Sequence, residues 1–578
     1  MTAPTGATAP TGATRPALPP EIRQVARGSA VNLVTMVLGA ILTFGLTVLV
    51  SRWLQPRNAG GFFELIAIST ILSNTLQLGA DTGLTRWISR ARAIGGVAHA
   101  RKVIVIALVP VAIAGTAAAT AVWMLAPEIA RIFLHGMVTT QAVADIRIIA
   151  PLVPLGALSA SVLGATRGFG RNWPYLAIEG LGKPALRALL VVAALSAGWG
   201  LRGAIVGWAI PVVLGLAAGW LILARLVREE VQGPARLRVA PKVRFTRVRQ
   251  RLLADTRAAG RKLAGAGRPA SRNPGRHRGV PSGASAARER LGAQFWRFTA
   301  PRGFAGSFQI LVVWLDVLLV GALLSRNAAG VYAAVSKLAL LGGFALEATR
   351  LAIGPQLSQF LARRENDRAA ALHHSATRWL MVASFPLYIV VSIFPAVALS
   401  IFGHRYTAGA TALTVLALAM LVNLGTGNVT VVLLMGGKSS LSAYNSLAAL
   451  GLNVGLNLLL LPRIGIVGAA IAWAASIVVE NIAALVEVWL TLDIRPCGTG
   501  YWLMAAACAG CFGSIGLAAR ALLGETLPAA ALAVTVGLAI FAVTLYVARA
   551  RLGLAGLATV LRPAASRATG SRSNQQIA

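Results

Sequence analysis

The sequence predicts an all-α membrane protein: about 14 transmembrane helices, in two pseudo-symmetric six-helix halves plus two C-terminal helices. Three observations predict it. First, the 578 residues are 56% hydrophobic with mean hydropathy +0.71, and only 12% are charged; a soluble domain carries about 25% charged residues. Second, apolar runs recur that reach the roughly 20 residues a helix needs to cross the hydrocarbon. Third, one stretch occurs twice. Arg57-Asn58-Ala59-Gly60-Gly61-Phe62-Phe63 aligns without a gap with Arg326-Asn327-Ala328-Ala329-Gly330-Val331-Tyr332. Each copy lies between two membrane-length apolar runs, so each half opens with the same helical hairpin.

Taken in order, residues 1–22 repeat Thr-Ala-Pro-Thr-Gly and cannot bury a core, which predicts a disordered tail. A basic segment followed by an apolar run is missing before residue 28, so no signal peptide is expected there. The N-terminal half, 23–226, holds six apolar candidates: 28–51, 62–84, 103–125, 148–166, 176–199 and 203–224. The C-terminal half, 298–492, holds 303–324, 328–353, 379–403, 408–435, 441–461 and 464–490. Two additional helices, 501–519 and 527–548, fall in the segment 493–548, and 549–578 reads as a second disordered tail.

Orientation follows from the basic residues. With the N-terminus inside, inner segments hold 40 of the 54 Lys and Arg, and outer loops hold 9. Long loops do not count in this rule, yet without the central loop the ratio is still 21 to 9. Both termini are therefore expected in the cytoplasm, with the protein in the cytoplasmic (inner) membrane. Six helices separate the two hairpins, an even number, so the halves share one orientation about an axis along the membrane normal.

The net charge of +36 alone would suggest a nucleic-acid partner. Here the basic residues sit between apolar runs, so no nucleic acid is expected. The segment 227–297 is a basic cytoplasmic loop rich in Pro, Gly, Ser and Ala. It reads as a disordered loop held near anionic membrane lipids, or as a docking site for an acidic partner protein. Residues 243–263 have the length and charge of an interfacial helix with a weak apolar face.

Enzyme chemistry is not expected. Cys497, Cys508 and Cys511 form no disulfide framework, and the last two lie in an apolar run as small packing residues. His373 and His374 have no Cys or carboxylate cluster beside them and read as part of a solvated loop. A phosphate-binding Gly-rich loop with a following Lys-Ser/Thr is missing, so neither a nucleotide cofactor nor a metal is predicted.

Charges inside membrane helices are costly and usually face a cavity or another charge. Glu179, Lys183 and Arg187 step by four along the fifth helix and share a face, with Pro184 expected to kink it. Asp316 lies deep in the seventh helix, Lys337, Glu347 and Arg350 on the eighth, and Glu480 and Glu487 on the twelfth. Asp81 and Arg86 end the second. For Asp81, Arg86 and Arg350, snorkelling to water is the alternative reading; for Lys183, Asp316, Lys337 and Glu480 it is an internal ion pair. Asn445, Asn453 and Asn457 read as helix–helix hydrogen bonding.

At the paired hairpins the chain resembles the polysaccharide transporter family of the multidrug/oligosaccharidyl-lipid/polysaccharide exporter superfamily, which includes O-antigen flippases. The residues that carry the resemblance are Arg27-Gly28-Ser29, Ser51-Arg52-Trp53-Leu54-Gln55-Pro56, Gly60-Gly61-Phe62 and Leu78-Gly79-Ala80-Asp81-Thr82-Gly83-Leu84. In the second half they are Asp316, Val320-Gly321, Ala329-Gly330-Val331-Tyr332, Pro355 and Gly465-Ile466-Val467-Gly468-Ala469-Ala470. The likeness covers about residues 22–550; the basic loop is longer than the family leads one to expect.

That resemblance implies a cargo: an oligosaccharide on a polyprenyl pyrophosphate, moved from the inner to the outer leaflet by alternating access. Lys183, Arg187, Lys337 and Arg350 are then the candidate cavity cations for the pyrophosphate. Asp316, Glu480, Glu179 and Asp81 are the candidate carboxylates for coupling to H+ or Na+. Other polysaccharide-assembly proteins are candidate partners. A multidrug or organic-cation antiporter, a peptidoglycan lipid-precursor flippase, and a non-transporting assembly scaffold remain open alternatives.

Overall fold

The computed structural model describes residues 20–93, 97–133, 139–232, 283–495, 498 and 500–548. The tail 1–19, the heart of the basic loop with its possible interfacial helix, Cys497, and the tail beyond 548 lie outside the described residues. Helix runs further than expected at the edges of these segments. It begins at Pro20, and it enters the basic segment from both sides, to Gln232 and again from Gly283.

The described residues are helical throughout, without strands. In the first half these are α1 (Pro20–Leu76), α2 (Ala80–Ala93), α3 (Val97–Met124), α4 (Ala126–Phe133), α5 (Thr139–Ile149) and α6 (Leu152–Gly168). A short turn, α7 (Trp173–Tyr175), and a π-helical segment, Leu176–Gly182, lead into α8 (Lys183–Ser196), followed by α9 (Gly200–Gln232). The second half opens with α10 (Gly283–Leu323), α11 (Arg326–Ala339), α12 (Gly343–Ala362), α13 (Asn366–Ile393) and α14 (Pro395–Ser400). It continues with α15 (Ala410–Gly425), α16 (Val429–Met435), α17 (Ser439–Ile464) and α18 (Ile466–Leu492), and the chain adds α19 (Tyr501–Cys508), α20 (Ile515–Leu523) and α21 (Leu527–Val547).

Twelve stretches of the described residues are long and apolar enough to cross a membrane. The expected count was about 14, and two places account for the gap. Val34–Arg92 is one stretch by length, yet α1 breaks at Gln55, whose φ of 59° and ψ of 165° turn the chain between two apolar limbs. The segment around α8 carries Glu179, Lys183 and Arg187, three charges within one span's length, and is not among the twelve.

The repeated heptapeptides pack against each other. A Cβ on Gly60 would fall on the carbonyl oxygen of Arg326, and one on Gly330 would fall on the carbonyl oxygen of Pro56. Only glycine lets the α1 and α11 backbones meet so closely, the small-residue device by which membrane helices associate. Both hairpins therefore lie at the same end of the bundle, which the even helix count requires.

From that junction the second limb of α1 runs along α10. Glu64 lies against Gly321 near the hairpins, and Leu78 lies against Gly303 toward the opposite end. One hydrophobic core spans both halves, from Phe62, Phe63 and Ile146 to Tyr332, Tyr388 and Phe402. The C-terminal helices dock on the second half. Arg520 donates to the Ile393 carbonyl and pairs with Glu525, which accepts from the Ala396 amide at 2.6 Å. Cys508 and Cys511 are buried in that contact, as their packing role requires.

Candidate functional site

The first half encloses a polar cavity of about 190 Å³ between α1, α6, α8 and α9. Ser69, Thr70, Ser73 and Asn74 of α1 and Gln77 just after it line the cavity together with Glu179, Lys183 and Arg187. Their four-residue spacing puts those three charges together. Lys183 is 5% exposed and donates to Glu179 Oε2 at 2.6 Å and to Ser159 Oγ at 3.0 Å. Arg187 lies over the Trp208 ring, 4.3 Å from its centre, a cation–π contact. Gly215 makes room for the lysine, since a Cβ there would meet Lys183 Cε.

The local sequence explains how the charges reach the cavity. The π segment Leu176–Gly182 ends where Pro184 cannot donate its missing N–H, so the expected disturbance at Pro184 takes the form of a widened turn. Water has room here: 190 Å³ is about six waters at liquid density. The headgroup of a lipid-linked oligosaccharide has not.

The other candidates lie elsewhere, which corrects the expectation of one shared cation-lined cavity. Lys337 does not line this cavity; its ammonium sits 3.8 Å from the centre of the Trp314 ring. Arg350 pairs with Glu347 at 3.3 Å, both about half exposed. Asp81 pairs with Arg167 at 3.3 Å beyond the cavity. Asp316 is 1% exposed and accepts from Tyr332 Oη and Asn457 Nδ2, each at 2.9 Å. Glu480 accepts from Ser446 at 2.8 Å and Glu487 from Asn445 at 2.7 Å. Asn445 and Asn457 of α17 thus bond across helices, as their position suggested, while Asn453 accepts from Asn457 within the helix.

Sequence reasoning passed over a second charged group, at the junction of the hairpins. Glu64 is completely buried, and neither carboxylate oxygen has a hydrogen-bond partner. Arg326 is 3% exposed with Nε and Nη2 unpartnered, and its guanidinium lies against Gly61. Asp145, 2% exposed, pairs with Arg202 at 3.0 Å nearby and acts electrostatically on Arg326. A signal existed: Glu64 is an acid inside the second apolar run, and Arg326 belongs to the repeated heptapeptide. Reading Arg326 and Asp145 as outer-loop residues hid them. The histidine pair also differs from expectation. His373 is 3% exposed inside α13, and His374 bonds the Arg495 carbonyl at 2.8 Å, so the pair is packed rather than solvated.

Comparison with known proteins follows from this geometry. No known family's sequence profile matches the chain. A probable low-salt glycan biosynthesis flippase of Haloferax volcanii is 26% identical over 173 residues, 29% of this chain and 36% of the relative. The aligned stretch thus spans about a third of that relative's length. Among solved structures, the lipid II flippase MurJ in an inward closed conformation superposes with a TM-score of 0.63 at 11% identity, over 89% of this chain and 98% of that one. An inward-facing multidrug resistance MATE family transporter of the MOP superfamily superposes with a TM-score of 0.55 at 13% identity, over 80% and 98%. The chain is a multi-pass membrane protein with the fold of the flippases and multidrug transporters of the MOP superfamily.

Proposed function

We propose that the chain is a flippase that moves a polyprenyl-pyrophosphate-linked oligosaccharide from the inner to the outer leaflet of the cytoplasmic membrane. The observation that carries the reading is the first-half cavity, where a buried lysine and an arginine share the lining with five hydroxyl or amide side chains of α1 and its C-terminal turn. Hydroxyls and amides replace the water of sugars, and cations replace the water of a phosphate. The similarity to a glycan biosynthesis flippase supports the same cargo class. The fold supplies the movement: two like halves rock about a shared seam.

In this structure the hairpin end is shut by the Gly60–Arg326 and Pro56–Gly330 contacts and by buried Glu64 and Arg326. Transport on this reading parts that end, and the 190 Å³ cavity widens toward the seam to admit cargo. Asp316, with Asn453 and Asn457 beside it, is the carboxylate placed to take a proton or sodium ion and so link the second half to an ion gradient. Lys337, stacked on Trp314, is a second cation the moving halves can bring to the cargo. The hairpin end then faces outward, and the basic segment 227–297 meets anionic lipid or assembly proteins in the cytoplasm.

The test is transport in liposomes carrying a fluorescent lipid-linked oligosaccharide. Lys183→Ala is expected to stop translocation while protein abundance and the unfolding temperature of an Glu179→Gln/Lys183→Met variant stay near those of the parent. Translocation at the parent rate in both would remove the cavity from the transport path.

A further inference from the structure

We propose that the hairpin end carries a separate phosphate-binding site, held between the two halves by Arg52 and Arg405. A pocket of about 460 Å³ lies there, lined by Ser51, Arg52 and Gln55 from the first half and by His404, Arg405 and Tyr406 from the second. It shares no lining residue with the cavity around Lys183. Three of its side chains are basic or titratable to a cation, and none is acidic.

Each arginine is fixed by the opposite half. Arg52 Nε donates to the Ile401 carbonyl at 2.7 Å, and Arg405 Nη1 donates to Gln55 Oε1 at 2.5 Å. Tyr406 Oη donates to the Ser51 carbonyl at 3.0 Å and ties the floor together. Neither arginine has an acidic partner among the described residues. One or more guanidinium nitrogens of each thus remain available to a ligand in the pocket. Gln55 holds its side chain in place from a left-handed backbone conformation that a non-glycine residue rarely adopts, and such strain gathers where a site fixes its geometry.

Arg52 and Arg405 line one pocket with no carboxylate among its lining residues, and an anion bound there offsets the repulsion of the two cations. A planar arginine fork matches a phosphate oxygen pair, and forks from two sides suit a tetrahedral phosphate. The pocket sits where α1 breaks at Gln55 between two apolar limbs, and since each limb is long enough to cross the hydrocarbon, we place the break at its edge, within reach of lipid headgroups. Because both halves build it, the ligand binds the shut arrangement alone and stabilises it by linkage. Phosphate can come from the headgroup of a surrounding anionic lipid or from a diphosphate-bearing cargo; the second source rests on the proposed function and the first does not.

The full-length chain in neutral detergent is titrated with inorganic pyrophosphate, with short-chain phosphatidylglycerol, and with short-chain phosphatidylcholine as control, and its unfolding temperature is followed. Pyrophosphate or phosphatidylglycerol raises it, and the Arg52→Gln/Arg405→Gln variant needs about tenfold more ligand or loses the response, as removal of charge-assisted hydrogen bonds implies. Gln55→Ala keeps both cations and keeps the response. Where the double glutamine variant does not fold, Arg52→Lys and Arg405→Lys keep the charge, lose the fork, and show weakened binding. A response to phosphatidylglycerol alone identifies the headgroup, to pyrophosphate alone the diphosphate, and to both the phosphate group itself. No shift with either anion, or an equal shift in the arginine variants, overturns the site.

Discussion

Glu64 and Arg326 are both buried where the two halves meet, 0% and 3% exposed, and they act on each other electrostatically although neither completes its hydrogen bonds. A buried charge without partners costs several kcal/mol. Their mutual attraction offsets part of that cost only while the hairpin end is shut. On the proposed transport cycle, parting of the halves returns both to water. The pair therefore holds the shut state weakly, as a reversible contact must.

This arrangement predicts a non-additive pair. Glu64→Gln removes one of the two acids, with Asp145, that act on Arg326, and Arg326→Gln removes the cation that acts on Glu64; each weakens the shut state by about 0.5–3 kcal/mol. The double change removes both charges and costs less than the two singles combined. A cysteine placed at Ala59 and probed with a membrane-impermeant maleimide reads the result. Faster labelling in each single variant than in the double is expected, and equal labelling in all three would show that the two residues act independently.

The glycines of the junction give a sharper test. Gly60→Ala and Gly330→Ala each drive a methyl into backbone, which has no rotamer to escape by. Overpacking of this kind costs about 1–3 kcal/mol. Gly45→Ala in the same helix meets nothing within 4 Å and serves as control. The junction variants should unfold at lower temperature and label faster at Ala59, while the control behaves as the parent. A junction variant as stable as Gly45→Ala would mean that the backbones part at no cost.

These residues also show what the sequence made legible and what it did not. The fold class followed from run lengths and charge because lipid forces every backbone group into helix, and a run of about 20 apolar residues has few other fates. The Glu179-Lys183-Arg187 face was legible because helical spacing fixes which side chains meet within one helix. Contacts between helices were not. Lys183 and Lys337 look alike as deep lysines in an apolar run, yet one meets a carboxylate and a serine and the other an indole ring. Arg326 looked like an outer-loop residue because it stands at a helix start, yet the close approach of Gly60 to its backbone and of Gly61 to its guanidinium buries it.

Gly215 offers a test of the first-half cavity that leaves every charge in place. Gly215→Ala puts a methyl onto the Lys183 stem and displaces the ammonium from Glu179 and Ser159. Transport of lipid-linked oligosaccharide should fall while net charge and cavity polarity are unchanged. Gly219→Ala, one turn further, meets Val162 and Leu163 at ordinary contact distance and should transport normally. Equal rates in the two variants would mean that the position of the lysine does not matter to the cargo.

Asp316 supports the final prediction. Its carboxylate takes the Tyr332 hydroxyl and the Asn457 amide N–H, and Asn457 also donates to Asn453 Oδ1. A buried carboxylate with a hydroxyl and two amide side chains in its hydrogen-bond network suits a hard cation, or a proton that neutralises the acid outright. Asp316→Asn keeps the shape and the Tyr332 contact but removes the negative charge, so either ion loses its reason to bind. In liposomes, an imposed sodium or proton gradient should accelerate the parent and leave Asp316→Asn unaffected, although downhill movement of cargo continues. Replacing sodium by choline separates the ions: if choline abolishes the acceleration the site takes sodium, and if a pH step alone restores it the site takes a proton. Asp316→Asn that still answers a gradient as the parent does would move the coupling to another carboxylate, with Glu480, bonded to Ser446, next in line.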